Sequence, residues 1–250
     1  MINDYIVTLD IDWAPDYAID YVAELLVEHD VRATWFVTHS SPAITRLSQR
    51  SELFELGIHP NFLPNSTHGK THEEVLTHCV AMVPGARSMR THGLYQSTPL
   101  LEQVLNRTPI TADVSLFMPR ARALSPVEYR WHGRELLRIP YYWDDCYEMQ
   151  RISADWHLSP HLTGNHGLKV FNFHPIHIFL NSSDMRGYSA LKQSRPRLSD
   201  ISLTEAERFI HPGHGCRAIF LKLIQHLKQA GFSYRVQDLC DQWRAARSKD

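Results

Sequence analysis

The 250-residue sequence predicts an α/β fold: a distorted or incomplete (β/α)7-type barrel, built as a single domain over residues 1–250. Three observations lead to it. Short apolar runs rich in β-branched and aromatic residues alternate with stretches whose apolar residues recur at helical spacing. No internal repeat, low-complexity tract or linker divides the chain. Polar residues capable of chemistry recur just after the apolar runs, as they do on the rim where parallel barrels build their sites. A doubly wound open sheet is the alternative arrangement of the same units.

Each element has its own warrant. Residues 5–9 (YIVTL) form a strand, and in residues 17–29 Ile19, Val22, Ala23, Leu26 and Val27 make one helical face. Residues 33–37 (ATWFV) are a second strand. Pro42 starts a helix carrying Ile44 and Leu47, and residues 56–58 are a short third strand. Thr71 opens a helix over residues 71–83, with Glu73 and Glu74 in its first turn. Ser88 and Met89 lead a fourth strand, residues 100–105 sit in a fourth helix, and residues 110–116 are a fifth strand. Strands and helices alternating at this spacing form parallel βαβ units. The later chain is less regular. Residues 129–139 read as a hairpin, 169–173 as a strand, and 178–212 as a long loop with a short helix. Amphipathic helices over 218–230 and 236–246 flank residues 232–235.

Composition narrows the function. A formal net charge of -1 leaves no electrostatic footprint for nucleic acid or an anionic membrane. No apolar run is long enough to span a bilayer. The N-terminus has neither a basic segment nor an apolar signal core, so the expected location is cytoplasmic. Cys79, Cys146, Cys216 and Cys240 are far apart and form no CxxC, which in such a compartment reads as reduced thiols.

The informative residues follow the strands. Asp10 and Asp12 follow the first, His39 the second and His59 the third. Arg90 and His92 follow the fourth, Asp113 lies in the fifth, and His174 follows Phe171-Asn172-Phe173. Each has an ordinary alternative: the aspartates cap the next helix, His59 is a loop residue, and Arg90 is a surface charge. Two carboxylates two residues apart at a strand end share a face and repel unless a cation or proton intervenes. A divalent metal plus a base role explains both, and Arg90 would pair with one of them. Tyr141, Tyr142 and Trp143, followed by Asp144 and Asp145, either stack on and hydrogen-bond a sugar or pack into the core.

At these residues the chain resembles the polysaccharide deacetylases of carbohydrate esterase family 4, which share the NodB homology domain. Thr8-Leu9-Asp10-Ile11-Asp12 is similar to the family's first motif, and Ala33-Thr34-Trp35-Phe36-Val37 to its second strand. Glu55-Leu56-Gly57-Ile58-His59 resembles the start of its metal-binding motif, Arg90-Thr91-His92-Gly93 its arginine motif, and Phe173-His174-Pro175 its final motif. The resemblance implies that Asp10 is the catalytic base, Arg90 orients it, His174 is the catalytic acid, and Asp12 and His59 hold a metal. Two positions depart. A second histidine normally stands four residues after the first, where this chain has Leu63, and the arginine motif normally continues with Pro. The run from His59 to Gly69 resembles a branch found with O-antigen biosynthesis, implying a nucleotide- or lipid-linked bacterial amino sugar as substrate.

Amide hydrolysis needs an activated water, a stabilised oxyanion and a protonated leaving amine. One divalent metal, Zn²⁺ by its carboxylate and imidazole donors with Co²⁺, Ni²⁺ and Fe²⁺ as alternatives, would serve the first two needs. With Leu63 lacking a lone pair, His68 is expected as the third ligand beside Asp12 and His59. His39, His92, Tyr142, Trp143, Asp145 and His177 are expected to contact substrate. Two other readings stay open: a non-haem iron oxygenase with a carboxylate and two histidines, and a catalytically inactive sugar-binding relative. The oligomeric state has no signature in the sequence.

Overall fold

Strand and helix alternate from the start of the chain. The computed structural model describes residues 4–164, 166–195 and 197–247. Its first half reads β1 (Tyr5–Asp10), α1 (Asp16–Glu28), β2 (Ala33–Val37), α2 (Pro42–Ser48), β3 (Phe54–Ile58), α3 (His72–Met82), β4 (Ser88–Met89), α4 (Thr98–Arg107) and β5 (Ala112–Phe117). A hairpin follows, β6 (Val127–Trp131) and β7 (Arg134–Tyr141), then β8 (Trp143–Asp144), α5 (Asp145–Met149), α6 (Pro160–Thr163) and β9 (Lys169–Phe173). The chain ends with α7 (Pro175–Leu180), α8 (Met185–Ser194), α9 (Leu203–Glu207), α10 (Cys216–Ala230) and α11 (Val236–Arg247). No helix among the described residues is long and apolar enough to cross a membrane.

One sheet runs in the order β6-β7-β5-β4-β3-β2-β1-β9-β8. From β5 to β1 the strands lie in chain order without the reversal that a doubly wound sheet requires, so the barrel-like arrangement holds. The hydrogen-bonded sheet is not closed. One continuous run nevertheless serves both ends: β7 pairs with β5, and after a single residue, Tyr142, β8 pairs with β9. Every residue of β1 is buried because it is paired in parallel on both sides, by β2 and by β9. In the shared register Thr8 lies beside Asn172, and Asn172 beside Asp144.

Local chemistry explains the boundaries. Thr71 and Glu74 form a reciprocal capping box at the start of α3. In the β6–β7 hairpin, His132 and Gly133 both take positive φ, 45° and 77°, as a two-residue hairpin turn demands. Residues 178–212, expected as a loop with one short helix, instead contain the end of α7, all of α8 and α9, and a 3-10 turn at Leu198–Asp200. Asp184 caps α8, and Ser202 with Glu205 forms a capping box on α9. α9 has only 5 residues and α8 buries only Leu191, so caps rather than apolar spacing mark them. β8 and α5 have no sequence signal either, since 2 and 5 residues carry no period. Residues 232–235 contribute a single bridge, Tyr234 beside Ile6.

Candidate active site and metal centre

The turn after β1 sets the geometry. Asp12 and Trp13 both adopt left-handed backbone angles, φ 46° and 56°, which side-chain-bearing residues rarely take. The turn is held by the Ala14 amide donating to the Ile11 carbonyl at 2.8 Å and the Trp13 amide donating to Thr38 Oγ1 at 2.9 Å. It carries the Asp12 carboxylate to the ends of β3 and β4. There Asp12 Oδ1 lies 3.1 Å from His59 Nε2 and 2.9 Å from His92 Nδ1. Burial alone would raise the Asp12 carboxyl, yet the His59 and His92 bonds hold it well below the ordinary range. His92 is raised in return: burial opposes its charge, and Asp12 more than compensates.

One ligand-type atom from each of Asp12, His59 and His92 lies within 4.8 Å of the other two. The His59 ring is buried and its Nδ1 has no hydrogen-bond partner among the described residues. A carboxylate oxygen and two imidazole nitrogens converging beside an orphaned nitrogen fit a divalent cation.

His68 was expected in this group, and the structure turns it elsewhere. The Asn61 amide donates to His68 Nδ1 at 3.1 Å, so Nε2 carries the proton and donates to the Thr38 carbonyl at 2.8 Å. Both nitrogens are engaged, and burial holds the ring below its ordinary pKa. His92, expected to contact substrate, lies beside Asp12 and His59.

Asp10 faces the barrel interior, two residues before Asp12. Arg90 Nη1 donates to Asp10 Oδ1 at 3.0 Å and Asn172 Nδ2 to Asp10 Oδ2 at 2.9 Å. Arg90 is fully buried, bonds Thr8 Oγ1, Asn172 Oδ1 and the Val114 carbonyl, and lies over the Tyr141 and Phe36 rings. An arginine so enclosed needs a carboxylate partner. Asn172 also bonds Asp144, which burial and the Asp145 charge push up to about 6. Asn172 was missed in the sequence. Its signal was a polar residue between two phenylalanines of a fully buried strand.

His174 closes the site from β9. Its Nε2 lies 3.9 Å from Asp10 Oδ2 and 3.6 Å from Asp12 Oδ2, and its Nδ1 lies 2.6 Å from Asp145 Oδ1. The His174 amide donates to the other Asp145 oxygen at 2.7 Å. Burial disfavours the imidazolium, but Cys146 and Asp145 raise it well above the ordinary histidine value. Because burial pushes the Cys146 thiol up to about 12 and keeps it neutral, Asp145 supplies the charge. Asp145 therefore positions His174, where a substrate contact was expected.

The other residues expected to contact substrate are placed as follows. Tyr142 donates its hydroxyl to the Leu162 carbonyl, and Trp143 packs on Phe173 with ring centroids 4.7 Å apart. Both are core residues, bordering a separate cavity with Arg120 and Arg122. His177 is buried against Tyr188, 2% exposed, and burial lowers it to about 4. His39 sits beside Thr38 at the end of β2, its Nδ1 3.1 Å from Thr38 Oγ1. Asp113 pairs with Arg138 at 2.8 Å, away from this cluster.

The sequence matches the family model described as WbmS-like polysaccharide deacetylase over residues 7–192, a span containing all of these residues. The chain belongs to this family. A crystal structure from Bordetella bronchiseptica, inferred to be a polysaccharide deacetylase involved in O-antigen biosynthesis, is 30% identical with a TM-score of 0.76, covering 90% of each chain. The peptidoglycan deacetylase PdaC from Bacillus subtilis is similar at 12% identity and a TM-score of 0.52, covering 99% of this chain and 94% of its own. That second likeness shows the shared fold alone. No curated protein matches the sequence.

Proposed function

We propose that this member of the WbmS-like family removes an N-acetyl group from an amino sugar, using one divalent metal held by Asp12, His59 and His92. The observation that carries the reading is the division of labour within one cluster. Asp12, His59 and His92 converge as a donor set, while Asp10, held by Arg90 and Asn172, stays free beside them and faces His174.

A Zn²⁺ ion in this donor set would supply Lewis acidity toward a water and the amide carbonyl. Asp10, oriented by the buried Arg90, takes a proton from the attacking water, whose oxygen bonds to the carbonyl carbon. His174, kept protonated by Asp145, gives its Nε2 proton to the departing amine as the C–N bond breaks. Arg90 and Asn172 fix the base; Asp145 fixes the acid. Two histidines and a carboxylate also serve non-haem iron oxygenases, but that chemistry has no use for an arginine-held base facing an Asp-held acid. An inactive sugar-binding relative would have no need of either.

The O-antigen role inferred for the Bordetella relative supports a substrate in bacterial surface polysaccharide assembly, either a small amino sugar or one carried on a lipid or nucleotide. Four free cysteines are consistent with action in a reducing cytoplasm. The test is acetate release from N-acetylated amino sugars by metal-stripped protein with Zn²⁺ or Co²⁺ added back, under air and anaerobically. Metal-dependent release indifferent to oxygen is expected, with Asp10→Asn binding metal but losing most turnover. An Asp10→Asn protein as active as the wild type would remove the reading.

A further inference from the structure

A cleft of about 260 Å³ opens beside Asp12 and Trp13. Asn61, Asn65 and Thr67 line one part of it with neutral hydrogen-bonding groups. α8 supplies Lys192 to the lining, and the 3-10 turn at Leu198–Asp200 with its N-cap supplies Ser199 and Arg197. Among the described residues Asp12 is the only acidic one in the lining, and it is committed to His59 and His92.

The two cations differ from their neighbours in the same segment. Arg186 is paired with Asp184 at 2.6 Å and Arg195 with Glu205 at 3.1 Å. Lys192 and Arg197 have no carboxylate partner among the described residues, and the Lys192 ammonium lies 5.7 Å from the centre of the Tyr188 ring. Two unpaired cations in one lining with neutral amides and hydroxyls make a cleft that attracts an anion. An uncharged sugar needs only the neutral groups. A phosphoryl group suits both cations, the guanidinium through its planar fork and the ammonium as a point charge.

We propose that Lys192 and Arg197 bind a phosphoryl group carried by the amino sugar, so that the substrate class is a sugar diphosphate precursor, nucleoside- or lipid-linked, and not a finished polysaccharide. This rests on the reading that the cleft beside Asp12 receives the deacetylase substrate. Binding and turnover are tested separately, so that either can fail alone.

Isothermal titration of the full chain without added metal, with uridine diphosphate, geranyl diphosphate and galacturonate as probes, reads binding with no chemistry involved. One of the diphosphates is expected to bind, and the tighter of the two identifies the carrier. Its affinity should fall with added salt. It should also fall by about ten-fold or more in Lys192→Gln/Arg197→Gln, the size of one lost charge-assisted contact, whereas Lys192→Arg should retain it. Both side chains are exposed, and a thermal melt matching the wild type shows that the double variant is folded. Absent diphosphate binding in the wild type, undiminished binding in the double variant, or loss of galacturonate binding alone would each overturn the proposal. Acetate release by the wild type does not depend on which of these results is obtained.

Discussion

Asp12 sits where backbone strain and metal chemistry meet. Two successive left-handed residues without glycine cost about 1–3 kcal/mol each, and they persist because Thr38 and the Ile11 carbonyl hold the turn. If His92 completes the donor set, then Asp12→Asn, His59→Ala and His92→Ala should each weaken Zn²⁺ binding by more than about ten-fold. His68→Ala should keep wild-type affinity while lowering the melting temperature, because it removes the bonds to Thr38 and Asn61. Equilibrium dialysis beside a melt checks this, and metal loss in His68→Ala would reverse the assignment. A second expectation concerns His174, whose folded pKa is raised. The stability it contributes is fully present below its ordinary value of 6.5 and is lost as pH rises through the raised folded value. Asp145→Asn removes the carboxylate responsible, so the alkaline limb of kcat/KM should move toward acid. An unmoved limb would show that Asp145 does not set the protonation of His174.

At the scale of elements, β3 delivers His59 only because its neighbours approach closely. A Cβ on Gly57 would meet Ser88 Oγ at 2.7 Å, Phe36 at 2.8 Å and the Ser88 carbonyl at 2.8 Å. Two of those contacts are with groups that cannot easily give: the backbone of β4 and an aromatic ring in β2. Gly57→Ala should destabilise the fold by about 1–3 kcal/mol through overpacking and displace His59, weakening metal binding as well. Denaturant unfolding with parallel dialysis measures both; a wild-type midpoint would mean that the strands shift apart without cost. The β7–β8 run matters in the same way. By crossing from β5 to β9 it sets Asp144 beside Asn172 and leads directly into Asp145 on α5.

For the whole molecule, pH stability sums groups of opposite sign. His177 is depressed to about 4, so its contribution is present above 6.5 and lost as pH falls from 6.5 toward 4. Asp144 is raised to about 6; its contribution is present below 3.8 and lost as pH rises through 6. A variant-to-wild-type difference isolates the first. His177→Gln should lose less stability than the wild type between pH 6.5 and 4, by on the order of 3 kcal/mol at most. Parallel acid titrations of the two proteins measure this, and equal losses in both would reject burial of a neutral His177.

The sequence by itself determined the alternation of strand and helix and the residues that end each strand, because both are set by backbone periods and caps acting within a few residues. Asp10, Asp12, His59, Arg90 and His174 were legible for that reason: each stands directly after an apolar run, and parallel strands bring their ends to one rim. Only the tertiary structure shows that His92, and not His68, lies beside Asp12 and His59. That difference depends on whether a ring nitrogen is already bonded, and the Thr38 carbonyl that occupies His68 lies 30 residues away in sequence. It also decided the layer of Thr8, Asn172 and Asp144, a matter of register between strands more than 160 residues apart in the case of Thr8 and Asn172. The same holds for Tyr142 and Trp143. Their composition suits a sugar platform or a core equally well, and it is the pairing of β8 with β9 that sets them against Phe171 and Phe173.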